Sequence, residues 1–455
     1  MTNDKSEEGY KKSVEQSHSE SDKKESSINS PRTVHLAPKR GRKEDAITAY
    51  DVAYIISKEQ EVYYDKLLSR VTYFNRGVYT DAYDMVRDYA VQLMKHDFRK
   101  YHLEDISEML KTMCDKTLES PPKNWILLND GVFDLETEQL MPLNPKYVFF
   151  ERLDVSYHEE PTNELEPIMR GILNAQQYLL FMDWVGYSLF RGYRKAGSLF
   201  VVGDGNNGKS TLADIVLSLF KGATASVTLQ ELMIPERRSR LVDKRVNVVS
   251  ELPAETILRS EAFKQMTAGD QISARYLHRD NFEFVNFAKF FFFTNKLPKI
   301  LDSSYGLYRR LYLIELLNQV DGSITKDEIQ AMLEKPSVRA WLFREAVRGY
   351  HRIMNSKADS SSAGRYQLLA DSAGYFIDQF VRARENATIK RTELYENYST
   401  FCKKNNVPPI SNIRFFNVVR KRFEGAFQEN EETHGGHSWR FDGIEMKSSS
   451  DIEVA

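Results

Sequence analysis

Leu199-Phe-Val-Val-Gly-Asp-Gly-Asn-Asn-Gly-Lys-Ser-Thr-Leu212 decides how the rest of the chain is read. An apolar run, a glycine-rich turn and a segment of helical spacing describe a buried strand that feeds a helix through a tight loop. Gly203, Gly208, Lys209 and Ser210 fit the phosphate-loop spacing G-x-x-x-x-G-K-[ST]. A polyphosphate needs a ring of backbone N–H donors, and glycine lets the chain come close enough to supply them. The expected nucleotide-binding segment is therefore Gly203, Asp204, Gly205, Asn206, Asn207, Gly208, Lys209, Ser210 and Thr211. Lys209 is placed to meet the terminal phosphates as a point charge, and Ser210 to offer a hydroxyl to Mg2+. The helix that follows, from Ser210 to about Phe220, aims the positive end of its dipole at the same anion.

One such loop accommodates ATP or GTP without specifying a task, so the downstream segments carry the next step. Arg245-Val-Asn-Val-Val-Ser-Glu-Leu252 reads as a short apolar strand closing on an acid, and Glu251 fits the carboxylate that positions Mg2+ and polarises the attacking water. Lys289-Phe-Phe-Phe-Phe-Thr-Asn-Lys296 reads as a second buried strand ending in Asn295, an amide suited to hold that water or to contact the terminal phosphate. Arg309 and Arg310 then precede a third strand, Leu311-Tyr-Leu-Ile314, where an arginine can reach a neighbouring subunit's γ-phosphate. Taken singly, each of these residues is also an ordinary surface charge or amide.

These segments occur in the order GDGNNGKST, VNVVSEL, AFKQMTAGDQISARYLHR, FFFFTNKLP and YRRL, and in that order they resemble the superfamily 3 helicases. The nearest resemblance is to the primase-helicases of poxviruses, satellite phages and plasmids and to the replication initiators of staphylococcal pathogenicity islands. The motifs cover about residues 198 to 315, with weaker similarity through LNDGVFDLETEQLMPLNP and toward the C-terminus. The resemblance implies an α/β AAA+ core, a parallel sheet with flanking helices, in a homo-hexameric ring around DNA that unwinds 3′-to-5′ on ATP. By position, it makes Lys209 and Ser210 the phosphate-loop pair and Glu251 the catalytic acid. Asn295 becomes the first sensor, and Arg309 or Arg310 the finger acting on the next subunit. One departure matters: Ser250 stands where many AAA+ proteins carry a second acid, which leaves Mg2+ with Ser210, phosphate oxygens and water as direct ligands and Glu251 acting through water.

Two regions are expected to meet DNA. Between the Glu251 and Asn295 strands, Gly269-Asp270 breaks a helix, and the pattern after it suggests a strand, a tip at His278-Arg279-Asp280-Asn281 and a returning strand. In the family this hairpin enters the ring channel, which implies phosphate contacts for His278 and Arg279, with Lys264 and Arg275 adding charge nearby. Tyr276 is expected to pack the hairpin rather than stack a base. Near the C-terminus, Leu394, Tyr395, Tyr398, Phe401 and Cys402 form an apolar helical face, and Ser411 can cap a second helix. In that helix Phe416, Val419 and Phe423 face inward while Arg414, Asn417 and Lys421 lie on another face. Two glycines in His434-Gly-Gly-His-Ser-Trp-Arg440 then suggest a turn between strands. Helix, helix, hairpin is the order of a winged helix, and a basic polar second helix suits a DNA groove. His434 and His437 lack further ligands for zinc.

The remainder of the 455 residues sets boundaries. Residues 1–45, rich in Ser, Lys, Glu and Asp, cannot offset ordering entropy by burial and read as a disordered tail, ending in the basic run Lys39-Arg40-Gly41-Arg42-Lys43. Residues 46–175 read as a small α+β domain. Its signals are a helical face at Ala82, Met85, Val86, Tyr89, Ala90 and Leu93 and hairpin turns at Asn75-Arg76-Gly77 and Asn129-Asp130-Gly131. The nucleotide core takes 176–320 and a helical segment 321–384, with Asn355–Gly364 as a linker and a helix from Arg365 to about Arg384. The winged-helix-like domain takes 385–447 and a tail 448–455. With 41% hydrophobic and 28% charged residues a sizeable core is available, and a net charge of -2 confines any DNA contact to local clusters. Two distant cysteines, no membrane-length apolar run and no secretory signal suit a cytoplasmic protein with no membrane partner. No Asp-x-Asp pair supports a primase site. The expectation is an ATP- and Mg2+-dependent replicative helicase and initiator of a mobile element. It would bind an origin duplex, hold a single strand in the ring channel and work with host replication proteins. The rival is an ATP-regulated DNA-binding initiator that does not unwind processively.

Overall fold

The computed structural model describes residues 46–448 apart from 66–67, 69, 76, 115–118, 145, 253–256, 259, 277–280, 301–304, 321–323, 357–360, 424–428 and 433–437. The tail 1–45 and its basic run lie outside the described residues, as do His278, Arg279, His434 and His437. The described residues form two compact units, the first from 46–65, 70–74 and 80–114, the second from nearly all that follows.

In the first unit, helices Ala49–Glu59, Tyr83–Met94 and Tyr101–Met113 close over the short strands Val62–Asp65 and Arg70–Asn75. Val52, Ile56, Val86, Ala90, Ile106 and Leu110 form its core. The helix expected from the Ala82–Leu93 periodicity is Tyr83–Met94. The α+β domain expected over 46–175 is corrected, however. Strands Trp125–Leu128, Gly131–Asp134 and Gln139–Met141 do form a hairpin sheet around Asn129-Asp130, with Leu128 opposite Gly131. Their apolar side chains Ile126, Leu128 and Phe133 enter the core of the second unit, where Phe133 meets Phe343 edge-on at 5.2 Å. A three-stranded sheet this small cannot bury its own face and completes itself against the larger core.

That larger core is built on five parallel strands, β1 (Ser198–Gly203), β2 (Thr224–Ala225), β3 (Val246–Val249), β4 (Lys289–Thr294) and β5 (Leu311–Leu316), in the order β5-β1-β4-β3-β2. A parallel sheet is covered on both faces, which is why β4 reads as an unbroken apolar run. Phe291 and Phe293 enter one layer with Leu199, Val201 and Ile314, while Phe290 and Phe292 enter the other with Phe200, Val249 and Leu313. Lys289 opens the strand without reaching solvent. Its ammonium donates to the carbonyls of Phe190 (2.9 Å) and Phe287 (2.8 Å) between the rings of Tyr187 and Tyr193, and burial holds it well below its usual pKa. Nearby, Arg245 is fully buried and paired with Glu151 at 2.8 Å.

On the first layer, helices Ala175–Tyr187 and Pro336–Asn355 cross in close contact. A Cβ on Gly186 would lie 2.1 Å from the Ala346 carbonyl oxygen, and one on Gly349 would lie 2.1 Å from that of Met182. The two glycines are reciprocal: each makes room for the other helix's backbone.

Past this pair the helical reading needs correcting. The segment expected to be one helix from Arg365 to about Arg384 is two, Ser361–Ala370 and Ser372–Phe380, followed by strand Val381–Lys390. Asp371 breaks the run because its carboxylate accepts from the Gly374 N–H at 2.9 Å and caps the second helix. Ser361–Gly364 accordingly fall in a helix rather than in the expected linker. Val381 and Ile389 point into a core shared with Phe376, Leu394, Tyr398, Phe415 and Phe441, so the C-terminal unit begins near Ser372 instead of 385. Helices Arg391–Lys404 and Asn412–Arg422 and strands Glu429–Glu432 and Ser438–Met446 complete it, with Ser438–Met446 central in the sheet. This is a winged-helix-type arrangement. Arg365 joins it to the core by forking onto the Glu315 carboxylate of β5 (2.6 and 2.8 Å) while donating to the Asn405 carbonyl (2.8 Å).

Gly186→Ala and Gly349→Ala should each lower the free energy of unfolding by about 2 kcal/mol or more, through overpacking with no side chain free to move aside. The urea midpoint, read by far-UV circular dichroism, checks this.

Candidate functional site

The glycine-rich segment Gly203–Thr211 folds as its residue types require. Gly208 has φ +87 and immediately precedes the helix Lys209–Leu219, and Asn206 also takes positive φ, at 65. No cap side chain bonds to that helix, and Gly208 to Thr211 at its start line the cleft. Gly203 is fixed by a neighbour: a Cβ there would sit 1.9 Å from the Asn207 amide nitrogen. Asn207 is buried, and its Nδ2 donates to the Leu316 carbonyl at 3.2 Å. The loop is thus pegged to the end of β5. Lys209 Nζ donates to the carbonyls of Gly203 (2.6 Å) and Asp204 (2.5 Å) and to Asn207 Oδ1 (2.9 Å). Burial pulls this ammonium below its ordinary pKa, while Asp204 and Glu251 act in the opposite direction.

Strand register brings the distant candidates to the same edge. Val202 on β1 lies beside Thr294 on β4, Phe292 on β4 beside Val249 on β3, and Gly203 beside Leu316 on β5. Asn295 and Glu251 follow just past these paired ends. Both are exposed and line a cleft of about 640 Å³ with Gly205 to Thr211. The cleft opens at the carboxyl ends of parallel strands, where the chain order reverses across β1, the usual ligand crevice of such sheets. Its volume and its uncapped helix terminus fit a nucleoside triphosphate. Ser210 is exposed at the loop and Glu251 at the facing strand end, so the residues present also fit Mg2+.

The opposite wall carried no signal in the sequence. Ile168 and Ile172 from the helix Leu165–Ile172 and Val320, Ile324 and Ile329 line it, with Lys326 as its charged member. Aliphatic residues announce only burial, and these come together from segments 150 residues apart by tertiary packing.

Arg309 and Arg310 stand elsewhere. They precede Leu311, which pairs with Ser198 at the amino ends of the strands, the edge away from the cleft. Arg309 is exposed. Arg310 is half-buried, with Asp270 as a neighbouring charge and desolvation lowering its pKa.

The expected hairpin forms from Gln271–Arg275 and Asn281–Val285 in antiparallel register. Tyr276 stacks on Phe282 at 4.8 Å and braces it. Arg275 is ion-paired to Glu236, and Lys264 is half-buried on the helix Ser260–Met266. In the C-terminal unit Arg414, Asn417 and Lys421 are all exposed on the helix Asn412–Arg422, opposite buried Phe415, Phe416 and Val419. Ser411 occupies the N-cap position without making a side-chain cap bond.

Comparison with known proteins divides the same way. Residues 201–310 match a family of unknown function (DUF5906), and residues 371–448 match the RFX DNA-binding domain. Transcription factor RFX4 of Mus musculus is 22% identical over 135 residues, and regulatory factor X 4 of Xenopus laevis 23% identical over 137. Each alignment takes in 30% of this chain and 18% of the relative, so the chain spans less than a fifth of the length of these curated relatives. Apo structures of the NrS-1 C-terminal region align with TM-scores of 0.45 and 0.44 at 14% and 13% identity. They cover 88% and 89% of this chain and all of the other. The match to the RFX domain begins at 371, where the structure also starts the C-terminal unit.

Gly203→Ala should displace the Asn207 amide and release the loop from β5. The affinity for a fluorescent ATP analogue is expected to fall about tenfold or more, measured by titration alongside an unchanged far-UV spectrum.

Proposed function

We propose that the chain is an ATP-driven replicative DNA helicase and replication initiator, working as a homo-hexameric ring with a DNA-binding C-terminal unit. The observation that carries this reading is the meeting of Lys209, Ser210, Glu251 and Asn295 in one cleft from three separate strand ends. In this reading Lys209 leaves its loop carbonyls for the terminal phosphates. Glu251 accepts a hydrogen bond from the attacking water and Asn295 orients it. Mg2+, held by Ser210 directly and Glu251 through water, supplies charge neutralisation on the phosphate oxygens when bound. The exposure of Arg309 at the far edge of its own sheet supports it, rather than half-buried Arg310, as the finger serving a neighbouring subunit's cleft. The hairpin, whose tip residues His278 and Arg279 lie outside the described residues, is the proposed channel contact, with Lys264 and Arg275 nearby. Arg414, Asn417 and Lys421 are the proposed origin-duplex contacts, in line with the RFX DNA-binding match. Host replication proteins and a cytoplasmic setting complete the reading.

The second reading, an ATP-controlled DNA-binding initiator without processive unwinding, uses the same cleft and the same C-terminal unit. A forked-DNA assay separates the two: strand separation that needs hydrolysable ATP supports the motor, and binding without separation supports the switch.

Lys209→Ala should reduce steady-state ATP hydrolysis by at least about a hundredfold, since the transferred phosphoryl group loses its cation. Arg309→Ala should do likewise. Mixing the two inactive variants should restore part of the turnover, because one composite site in the mixed ring keeps both groups. A mixture as inactive as its components would refute the shared site. Arg414→Ala combined with Lys421→Ala should weaken duplex binding with a shallower salt dependence, read by fluorescence anisotropy across a salt series.

A further inference from the structure

In the C-terminal unit, the helix Asn412–Arg422 buries Phe415, Phe416 and Val419 and leaves a solvent face at Ile413, Arg414, Asn417 and Lys421. Ile413, Asn417 and Lys421 recur at every fourth residue, so they form one stripe along the helix, with Arg414 beside it. Ile413 is 70% exposed on the first turn of that stripe. Lone aliphatic side chains are common on protein surfaces, and it is the surroundings that single this one out. The helix carries Arg414, Arg420, Lys421 and Arg422 and no acid. The next strand in the chain, Glu429-Asn-Glu-Glu432, is acidic, so of these two elements the helix is the one suited to phosphates. The Arg420 guanidinium donates to Asn417 Oδ1 at 3.0 Å, which orients the amide and leaves its N–H donors and a second oxygen lone pair for another partner. Trp439, the other exposed large apolar side chain among the described residues of this unit, already lies against the Arg391 guanidinium. Ile413 gains little burial within the chain, and isoleucine forms helix less readily than alanine, lysine or glutamate.

We propose that Ile413 is a specificity residue that seats against the 5-methyl group of a thymine in the major groove, so that the bound duplex carries an A·T pair at that position. Ile413, whose role rests on the reading of Arg414, Asn417 and Lys421 as duplex contacts, adds what a phosphate contact cannot, since such a contact positions the helix without reading sequence. The major groove admits an α-helix, and the thymine methyl is the apolar group presented there. An isoleucine meets that methyl by excluding water, whereas the amino group of cytosine would lose hydration against it. The β-branch leaves χ1 nearly fixed in a helix, so little rotamer freedom is lost on contact. Asn417, one turn further on, has the donor and acceptor that adenine N7 and N6 match.

The test uses the full chain. Duplexes that it retains are selected from a randomised pool, and the tightest becomes the probe. Each thymine of the probe is then replaced singly by deoxyuridine, which removes the methyl group and keeps every hydrogen-bonding group of the base. Affinity, read by fluorescence anisotropy, is expected to fall about fourfold at one thymine position, as loss of one buried methyl group implies. Ile413→Ala should bind the unmodified probe about fourfold more weakly and lose nothing further with deoxyuridine at that position. Ile413→Val should keep the methyl dependence. The side chain is exposed, so both variants are expected to fold, which an unchanged urea midpoint checks. Retention of no duplex at all removes the duplex-contact reading, and the Ile413 assignment with it. Tight duplex binding that is indifferent to every deoxyuridine, or that stays methyl-dependent in Ile413→Ala, overturns the Ile413 assignment alone.

Discussion

Parallel pairing of β4 between β1 and β3 is the constraint on which the site depends. The ladder that sets Thr294 beside Val202 and Phe292 beside Val249 also determines that the residues just beyond, Asn295 and Glu251, emerge at one edge. A slip of one residue would send the phenylalanines of β4 to the wrong layers and exchange the polar groups at its end. The two aromatic layers therefore hold the chemistry in place: packing on both faces of β4 makes the register unambiguous, and the register gathers the polar ends. Asn207 extends the same logic to the loop, since its bond to Leu316 ties the glycine-rich loop to the carboxyl end of β5.

Much of this was legible in the residues. The glycine-rich loop has a spacing with a mechanism behind it, and the Glu251 and Asn295 strands are short apolar runs that end abruptly in polar groups. The exposed and buried faces of the helix Asn412–Arg422 follow from period alone. What resisted reading was non-local. The hairpin sheet around Asn129-Asp130 carries correct turn signals, but nothing in its own sequence says which core receives Phe133. The strand Val381–Lys390 contains Arg-Ala-Arg-Glu-Asn-Ala, yet Ser438–Met446 pairs with both its ends, Val381–Ala383 and Thr388–Lys390, with a register shift between them. The cleft's aliphatic wall was invisible for another reason: Ile172 and Ile329 look like every other core isoleucine until the segments meet.

Lys289 and Arg245 show how much ionic chemistry can be structural. Both are wholly buried at the amino ends of the central strands, against carbonyls, tyrosine rings and Glu151. Their desolvation is costly, and such groups persist where they define a single arrangement of neighbours. The candidate site, at the other end of the same strands, is the exposed counterpart: its charges are few and accessible.

The fork of Arg365 on Glu315 has a mechanical meaning. Two parallel bonds to one carboxylate resist twisting as well as separation, and the third donor of the same guanidinium holds the Asn405 carbonyl at the end of a C-terminal helix. Glu315 is the residue immediately before the carbonyl that pegs the glycine-rich loop. A torque applied to the C-terminal unit is therefore delivered one peptide bond from that peg, with a planar, always-charged side chain as the lever.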